Sequence, residues 1–359
     1  MKDKRTSILM IVQYPENVSP GQRFRFELYK DMLTANGFTV TTKSFLNQKG
    51  YNVIHKFGYL FAKSFAILRG FLERLCLTFV VKKYDFILLQ REVTPIGPPL
   101  FEWIYIKLCK SKVIYDFDDA IWIPYVSKQN NLAAILKNTG KVKSICKWAY
   151  KVSCGNQYLC NYARRYNANV VYNPTCVDTD NSHNKLTDHG AQKLTIGWTG
   201  SLTTMVYLDI VIPALRRLQE KYDFNVKIIS NQQLPFYLKD VQYVKWNELN
   251  EVQELSTCQI GLMPFSNDEW SEGKCGFKLI QYCALEIPAV ASPVGVNKII
   301  FKEGVNGYFA NSGTEWYTAI EKLILDPALR KKMGKAGREK IIDQYSLRSN
   351  HENFIGLFK

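Results

Sequence analysis

The feature of this sequence that most constrains its fold is a repeated alternation of short apolar segments with longer amphipathic segments. In the first half, apolar segments of strand length lie at residues 8–13, 38–43, 86–90, 113–116, 152–155 and 170–172. Segments with helical periodicity lie between them, for example at 23–36, 99–109 and 157–167. Because parallel strands are joined by helical crossovers, this alternation predicts a doubly wound α/β domain.

The second half repeats the pattern. Apolar segments lie at 194–199, 225–229, 259–263, 289–291 and 308–310, and helical segments begin near residues 203, 249, 276 and 314. Two more helical segments, 327–344 and 347–358, end the chain, and Pro327 stands at the first-turn position that proline favours. We therefore expect a second Rossmann-like domain, with the two domains facing each other across a cleft.

The break between the halves is a polar segment rich in Asn, Asp, Thr and His, which is typical of a linker. A chain of 359 residues also suits two domains of similar size. We predict a first domain at 1–175, a linker at 176–193, a second domain at 194–344, and a C-terminal helix at 345–359 that packs on the first domain.

Composition narrows the class of protein. An apolar content of 47% and a charged content of 22% are typical of a globular chain. The nine cysteines form neither Cys-x-x-Cys pairs nor a Cys/His cluster, which indicates reduced thiols and no metal site. No uninterrupted apolar segment approaches the roughly 18 residues that a membrane-spanning helix needs. We expect a cytoplasmic protein.

Positive charge is concentrated in the first half, where residues 1–180 contain 26 Lys and Arg against 13 Asp and Glu. Such an excess attracts nucleic acid, an anionic membrane or a phosphorylated ligand. No nucleic-acid-binding motif is present, so nucleic acid is the least favoured partner. Residues 59–83 combine bulky apolar side chains with mostly basic charges, which fits either a helix in a membrane interface or a helix packed on the core.

The most informative short segment surrounds Gly276, where a glycine turn opens an amphipathic helix. Lys274, Lys278 and Gln281 are spaced three or four residues apart, so they share one face. Because the start of a helix favours an anion, the segment predicts a phosphate-and-sugar site. The alternative for each lysine alone is an ordinary solvated surface charge.

Two more glycine turns follow the first strand of each domain. Gly21 allows close approach of a ligand to the backbone, and Arg23 and Arg25 suit phosphate or carboxylate. Gly200 and Ser201 present backbone amides and a hydroxyl that suit a diphosphate. Neither turn carries the Gly-x-Gly-x-x-Gly pattern of dinucleotide-binding proteins.

Several segments together resemble family-4 glycosyltransferases of the bacterial glycan-assembly type, which have the two-domain GT-B fold. In the second half the resemblance is carried by NPTCVD at 173–178, GWTGS at 197–201, GKCGFKLIQY at 273–282, SPVGV at 292–296 and EGVNGY at 303–308. In the first half it is carried by GQRFR at 21–25 and YDFDDAIW at 115–122.

The resemblance implies a retaining, metal-independent hexosyltransferase without a cofactor. Its donor substrate would be a nucleotide-diphosphate sugar, of UDP or GDP type, bound mainly by the second domain, and its acceptor a glycan or lipid-linked glycan on the first. Lys278, Lys274 and Asp119 are the candidate catalytic residues. The candidate donor-binding residues are Gly200, Ser201, Gly276, Phe277, Lys278, Gln281 and Glu272. The candidate acceptor- or phosphate-binding residues are Gly21, Arg23, Arg25 and Asp118.

The sequence also departs from the family pattern. Many members carry two glutamates eight positions apart, the first on the donor sugar and the second on the ribose; here Gly273 and Gln281 stand at those positions. We expect the Gln281 amide to bind ribose hydroxyls and Glu272 to approach the sugar. Asp116, Asp118 and Asp119 are candidates for acceptor orientation or oxocarbenium stabilisation, and helix capping or a solvated turn is the alternative.

Two other functions remain open from the sequence. A nucleotide-sugar epimerase of GT-B type would act on its donor without an acceptor, and a degenerate transferase would serve as a binding subunit. The transferase interpretation predicts a role in cell-envelope polysaccharide assembly, with peripheral attachment to the anionic inner face of the plasma membrane.

Overall fold

The computed structural model describes residues 5–54, 56–123, 138–232 and 238–359, which form two compact units. Unit one comprises Met1–Thr175 and His351–Lys359, and unit two comprises Cys176–Asn350. Residues 176–193, which we expected to be a linker, belong to unit two, where Val177 and His183 are buried.

The sheet of unit one is entirely parallel. Its strands are β1 (Ser7–Val12), β2 (Thr39–Ser44), β3 (Phe86–Gln90), β4 (Val113–Phe117), β5 (Lys151–Cys154) and β6 (Val170–Tyr172), in the order β2-β1-β3-β4-β5-β6. Every residue of β3 and β4 is buried, as expected for central strands covered by helices on both faces.

The helices of unit one differ from expectation in one place. In the described part of the unit they are Pro20–Arg25, Lys30–Ala35, Gln48–Ile54, Leu60–Thr78, Leu100–Trp103, Lys141–Trp148 and Gln157–Arg164, with 3₁₀ turns at Glu27–Tyr29 and Val81–Lys83 and a π turn at Ile104–Leu108. The single helix predicted at 23–36 is wrong, because Phe26 leaves the helical region at φ −136° and ψ −55° and is buried instead. Tertiary packing overrides helical periodicity there.

A buried ion pair joins three strand ends of unit one. The Arg25 guanidinium donates through Nε to Asp116 Oδ2 at 3.1 Å, and through its other nitrogens to Asp116 Oδ1 and the Asn173 carbonyl. The Ser153 hydroxyl also donates to Asp116. Burial raises the pKa of Asp116, and the contacts with Arg25 and Ser153 oppose that rise. Arg25 is therefore part of the buried core of unit one.

The C-terminal segment completes the core of unit one. The helix Leu347–Ile355 is followed by a 3₁₀ turn at Gly356–Phe358. Phe354 stacks on Tyr29 with ring centroids 3.8 Å apart, and Lys151 Nζ donates to the Gly356 carbonyl at 2.9 Å. These contacts explain why His351–Lys359 belongs to unit one.

The sheet of unit two is also entirely parallel. Its strands are β7 (Leu194–Thr199), β8 (Phe224–Ser230), β9 (Val241–Lys245), β10 (Ile260–Met263), β11 (Ala289–Ala291) and β12 (Gly307–Phe309), in the order β12-β11-β10-β7-β8-β9. We did not anticipate β9, which is an edge strand whose polar residues Gln242 and Lys245 are exposed. Its apolar signal is weak because only one face is covered.

The helices of unit two have well-defined starts. They are Leu202–Met205, Ile212–Gln219, Glu251–Leu255, Glu269–Glu272, Phe277–Ala284, Asn297–Ile300, Gly313–Leu325 and Pro327–Gln344, with a 3₁₀ turn at Val206–Ile210. A capping box of Ser312 and Glu315 begins the helix at Gly313, and Asp326 caps the one at Pro327. Trp198 and Trp316 lie in the buried cluster beneath this layer.

The α/β architecture predicted from the alternation is confirmed by the two six-stranded parallel sheets. Among the described residues, no helix is both long and apolar enough to cross a membrane.

We predict that Arg25→Ala lowers the free energy of unfolding by about 3–5 kcal/mol, because it leaves the Asp116 carboxylate buried without its cation. Arg23→Ala is the matched control, since Arg23 is only half-buried, and should cost less than about 1 kcal/mol. Urea unfolding of both variants checks this. Equal losses would show that the ion pair adds nothing specific.

Candidate functional site

The order of strands places an opening in unit two at the carboxyl ends of β7 and β10. The chain runs from β7 outward through β8 to β9 and then returns to β10 on the other side of β7. The connecting helices leave on opposite faces at this reversal, so a crevice forms there in sheets of this kind. The crevice is the expected place for a ligand.

Lys278 lies at this reversal. Its ammonium is 5.4 Å from the ring centroid of Trp198, in β7, and 5.3 Å from that of Phe265, just after β10. Nζ also donates to Thr204 Oγ1 at 3.5 Å. The structure therefore brings Lys278 together with the loop that contains Gly200 and Ser201.

The turn after β7 fits glycine and little else. The Gly200 N–H donates to the Ile229 carbonyl at 3.1 Å. A Cβ at Gly200 would lie 2.7 Å from both Thr204 Oγ1 and the Trp198 ring. Ser201 is exposed, and its hydroxyl hydrogen-bonds that of Thr203 at 2.7 Å. The backbone of this turn is therefore held close to the Lys278 ammonium.

The second glycine turn begins the helix Phe277–Ala284. Gly276 has a φ of +68°, in the left-handed region, and a Cβ there would lie 2.4 Å from Ile300 Cδ1. Phe277 and Lys278 follow at the first turn, both half-buried. The turn therefore requires glycine for two reasons.

Two charged residues before this helix contact neighbouring groups. The Lys274 ammonium lies 3.6 Å from the Trp270 ring centroid, and Trp270 in turn stacks on Tyr207. Glu272 Oε1 accepts a hydrogen bond from the Gly295 N–H at 3.2 Å. Glu272 therefore joins the start of the crevice to the loop after β11. Its expected contact with sugar stays a prediction.

Tyr282 is a positioning residue that the sequence analysis missed. Its hydroxyl accepts from the Thr199 N–H at 3.2 Å and donates to the Leu262 carbonyl at 3.3 Å. Burial raises the pKa of Tyr282, so the phenol stays neutral. The signal available in the sequence was Gly261, a glycine inside a strand segment. In the structure a Cβ at Gly261 would lie 2.6 Å from the Tyr282 ring. The phenol fixes the end of β7 against β10.

Gln281 lies in an internal polar cluster. Its side chain is buried, donates to Glu251 Oε1, and lies 3.5 Å from His183 Nε2. Its expected contact with ribose hydroxyls stays a prediction. Glu251 and His183 were not anticipated because they lie far from Gln281 in sequence.

Unit one has a corresponding opening where its own strand order reverses, between β1 and β3. A cavity of about 510 Å³ lies there. Gln13 and Tyr14, just after β1, and Gln90 and Arg91, at the end of β3, contribute to its wall. The polar loops after β1 and β3 therefore lie together at the place where parallel α/β sheets bind ligands.

Arg91 organises the acidic residues beside this cavity. Its Nη2 donates to Asp118 Oδ1 at 2.8 Å and to Asp119 Oδ2 at 2.5 Å, and its backbone has a φ of +59°. Burial alone would lower the pKa of Arg91, but the two carboxylates raise it above its usual value. Gly21 lies alongside, since a Cβ there would be 3.1 Å from Asp118 Oδ2.

These contacts assign the predicted residues of unit one. Gly21, Asp118 and Asp119 lie close together around Arg91, which the sequence analysis missed; its position directly after an apolar strand was the signal. Their roles in acceptor binding and catalysis stay predictions. Arg25 and Asp116 do not join them, because both are buried in their shared ion pair. Arg23 stays half-buried, with its guanidinium 5.0 Å from the Phe24 ring centroid.

A second ion pair lies on the wall of the same cavity. Lys141 Nζ is 2.6 Å from Glu92 Oε2 and donates to the Thr94 carbonyl at 2.8 Å. Both Lys141 and Glu92 line the cavity, so the wall carries charges of both signs. Such a surface suits a ligand rich in hydroxyl groups, which both donate and accept hydrogen bonds.

Comparison with known proteins gives one family match and many structural matches. Residues 180–340 match the family model described as glycosyl transferases group 1. The chain is similar to a glycosyltransferase from Rickettsia africae, with a TM-score of 0.71 and 15% identity over 99% of this chain and 98% of that one. No curated protein matches the sequence.

Two further structures are similar over nearly the whole chain. Sucrose-phosphate synthase from Thermosynechococcus elongatus has a TM-score of 0.70 and 14% identity over 99% of this chain and 98% of that one. Anabaena HepE in complex with UDP-glucose has a TM-score of 0.67 and 12% identity over 98% of each chain. The chain therefore has the GT-B fold of glycosyltransferases, and most of its second unit matches the group 1 glycosyltransferase family.

Proposed function

We propose that this protein is a retaining glycosyltransferase that moves a hexose from a UDP- or GDP-linked donor to a glycan or lipid-linked acceptor. The family match over residues 180–340 supports a glycosyltransferase. The observation that carries the proposal is the position of the Lys278 ammonium at the strand reversal of unit two, beside the Gly200 turn.

The positive charge of Lys278 favours binding of a sugar nucleotide in this crevice. When the bond between the sugar and the diphosphate breaks, negative charge accumulates on the leaving diphosphate. A cation placed there stabilises the transition state more than the bound donor, and so raises the rate. Lys274 adds a second positive charge in the same region, and the backbone N–H groups of the Gly200 and Gly276 turns would contribute further donors to the phosphates.

We also propose that the reaction needs no metal ion. Lysines and backbone N–H groups would neutralise the diphosphate, as a divalent ion does in metal-dependent enzymes. HepE has been crystallised with UDP-glucose, which supports a nucleotide sugar as the donor class here.

The acceptor is proposed to bind in the cavity of unit one. Its wall includes Arg91 and the Lys141–Glu92 pair, whose charged groups suit sugar hydroxyls, and Asp118 and Asp119 contact Arg91 beside it. Asp119 is the candidate for orienting the attacking hydroxyl. The net positive charge of residues 1–180 supports an acceptor carried on an anionic lipid, as in cell-envelope polysaccharide assembly at the inner face of the plasma membrane.

We predict that Lys278→Ala lowers turnover by about a hundredfold to a thousandfold without unfolding the protein, because it removes one stabilising group from the leaving diphosphate. The assay is slow hydrolysis of each donor in a panel of UDP- and GDP-sugars, followed by NMR of the released anomer. Lys335→Ala is the control, since Lys335 is exposed on the helix Pro327–Gln344. Unchanged turnover in Lys278→Ala would remove the main assignment.

The same panel separates the alternatives. Donor binding without sugar release would favour a binding subunit, and conversion of the donor into its epimer would favour an epimerase. Release of the sugar with retained anomeric configuration supports the transferase.

We further predict that Asp119→Asn lowers transfer to an acceptor by about tenfold or more while donor hydrolysis stays close to that of the unmodified protein. The reason is that Asp119 belongs to unit one, whereas the predicted donor residues belong to unit two. Asp31→Asn, an exposed position in unit one, is the control. Equal loss of transfer and hydrolysis would contradict an acceptor-side role for Asp119.

A further inference from the structure

The helix Leu60–Thr78 has a buried inner side and an exposed apolar outer side. Its inner side is buried against unit one through Ala66, Gly70 and Leu77. Gly70 lies so close to the Phe45 ring that a Cβ would be 2.6 Å from it. This inner side accounts fully for how the helix is held in the fold. It does not account for the apolar residues on the opposite side.

The opposite side carries a continuous row of large apolar residues, which we call the outer stripe: Phe61, Phe65, Leu68, Leu72, Leu75 and Phe79. Their spacing alternates between three and four residues, so they share one helix face. All six are exposed, from 49% at Leu75 to 95% at Phe61. The outer stripe runs about 27 Å along the helix axis, at 1.5 Å per residue.

An exposed apolar row of this length is unusual on a soluble surface and marks a site of interaction. Apolar residues extend beyond its start, where Phe57 and Leu60 are also exposed. Lysines stand at both ends, with Lys56 before the helix and Lys82 and Lys83 after it, all exposed. The surface is therefore apolar along its length and positive at its two ends.

We propose that the outer stripe is the membrane-docking surface of the protein, and that it lies flat in the interface of a bilayer that contains anionic lipid. The apolar side chains would enter the boundary between headgroups and acyl chains, and the terminal lysines would reach the lipid phosphates. This surface would provide the membrane attachment named in the proposed function, and its biological purpose rests on that proposal. The outer stripe itself is defined only by the exposure of its side chains.

Charge favours a lipid surface over a second copy of the chain. If two stripes packed together, parallel or antiparallel, the lysines at both ends of one would meet the lysines of the other. Like charges in contact oppose such a pair. An anionic bilayer offers opposite charge to both ends at once, and it also attracts the net positive charge of residues 1–180, which contain 26 Lys and Arg against 13 Asp and Glu.

The test is flotation of the full chain with phosphatidylcholine vesicles that contain or lack phosphatidylglycerol. We expect binding to the phosphatidylglycerol vesicles, weakened by salt. The double variant Phe65→Ser, Leu72→Ser should bind about a hundredfold more weakly, because two large apolar side chains no longer leave water. Leu249→Ser, Leu325→Ser is the matched control, since both leucines are exposed in unit two, and it should bind as the unmodified chain does.

A second variant tests the ends of the stripe. Lys82→Gln, Lys83→Gln should weaken binding to phosphatidylglycerol vesicles by about tenfold or more and reduce its dependence on salt. Circular dichroism verifies that each variant is folded, which is expected because every substituted side chain is exposed.

Three results would overturn the proposal: no flotation with either vesicle, flotation that the stripe variant leaves unchanged, or a concentration-dependent dimer that the stripe variant abolishes in the absence of lipid. Donor hydrolysis, measured without vesicles, should be unaffected in the stripe variant. Failure of docking is thereby distinguished from failure of the transferase proposal, which Lys278→Ala tests separately.

Discussion

The constraint on which the rest of this structure depends is the reversal of strand order within each parallel sheet. Where successive crossover helices leave on opposite faces, the carboxyl ends of two neighbouring strands are left uncovered by helices. In unit two this happens between β7 and β10, and in unit one between β1 and β3. Lys278 lies at the first opening and Arg91 at the second, so each unit places a cation where its backbone leaves room for a ligand.

The two cations are held in different ways. Arg91 is bound by Asp118 and Asp119, so its charge is largely balanced within unit one and its geometry is fixed. The contacts of Lys278 include two aromatic rings and a hydroxyl, which orient the ammonium.

Close packing at glycine residues fixes the geometry of these openings. Gly261 lets the Tyr282 ring lie against β10, and the phenol then holds the Thr199 N–H at the end of β7. Gly276 allows the left-handed turn that begins the Lys278 helix against Ile300. In the helix Leu60–Thr78 of unit one, Gly70 allows the inner side to pack closely against Phe45. The apolar residues on the outer side of this helix are exposed.

Local sequence determined the strands and the glycine turns, because hydrophobic periodicity and left-handed backbone conformations are properties of a few neighbouring residues. Strands β3, β6, β7 and β11 begin and end where they were predicted, and the Gly276 helix starts as expected. The edge strand β9 was missed because its apolar signal is weak on a sheet edge.

Partner choice was decided only by the tertiary structure. Arg23 and Arg25 look equivalent in sequence, yet Arg25 pairs with Asp116, 91 positions away, and becomes part of the core. Gln281 likewise joins Glu251 and His183, and Arg91 takes the two carboxylates that the sequence left without a cation. The physical reason is that a buried charge or amide must find its hydrogen-bonding partner across the fold, and no local pattern records where that partner lies.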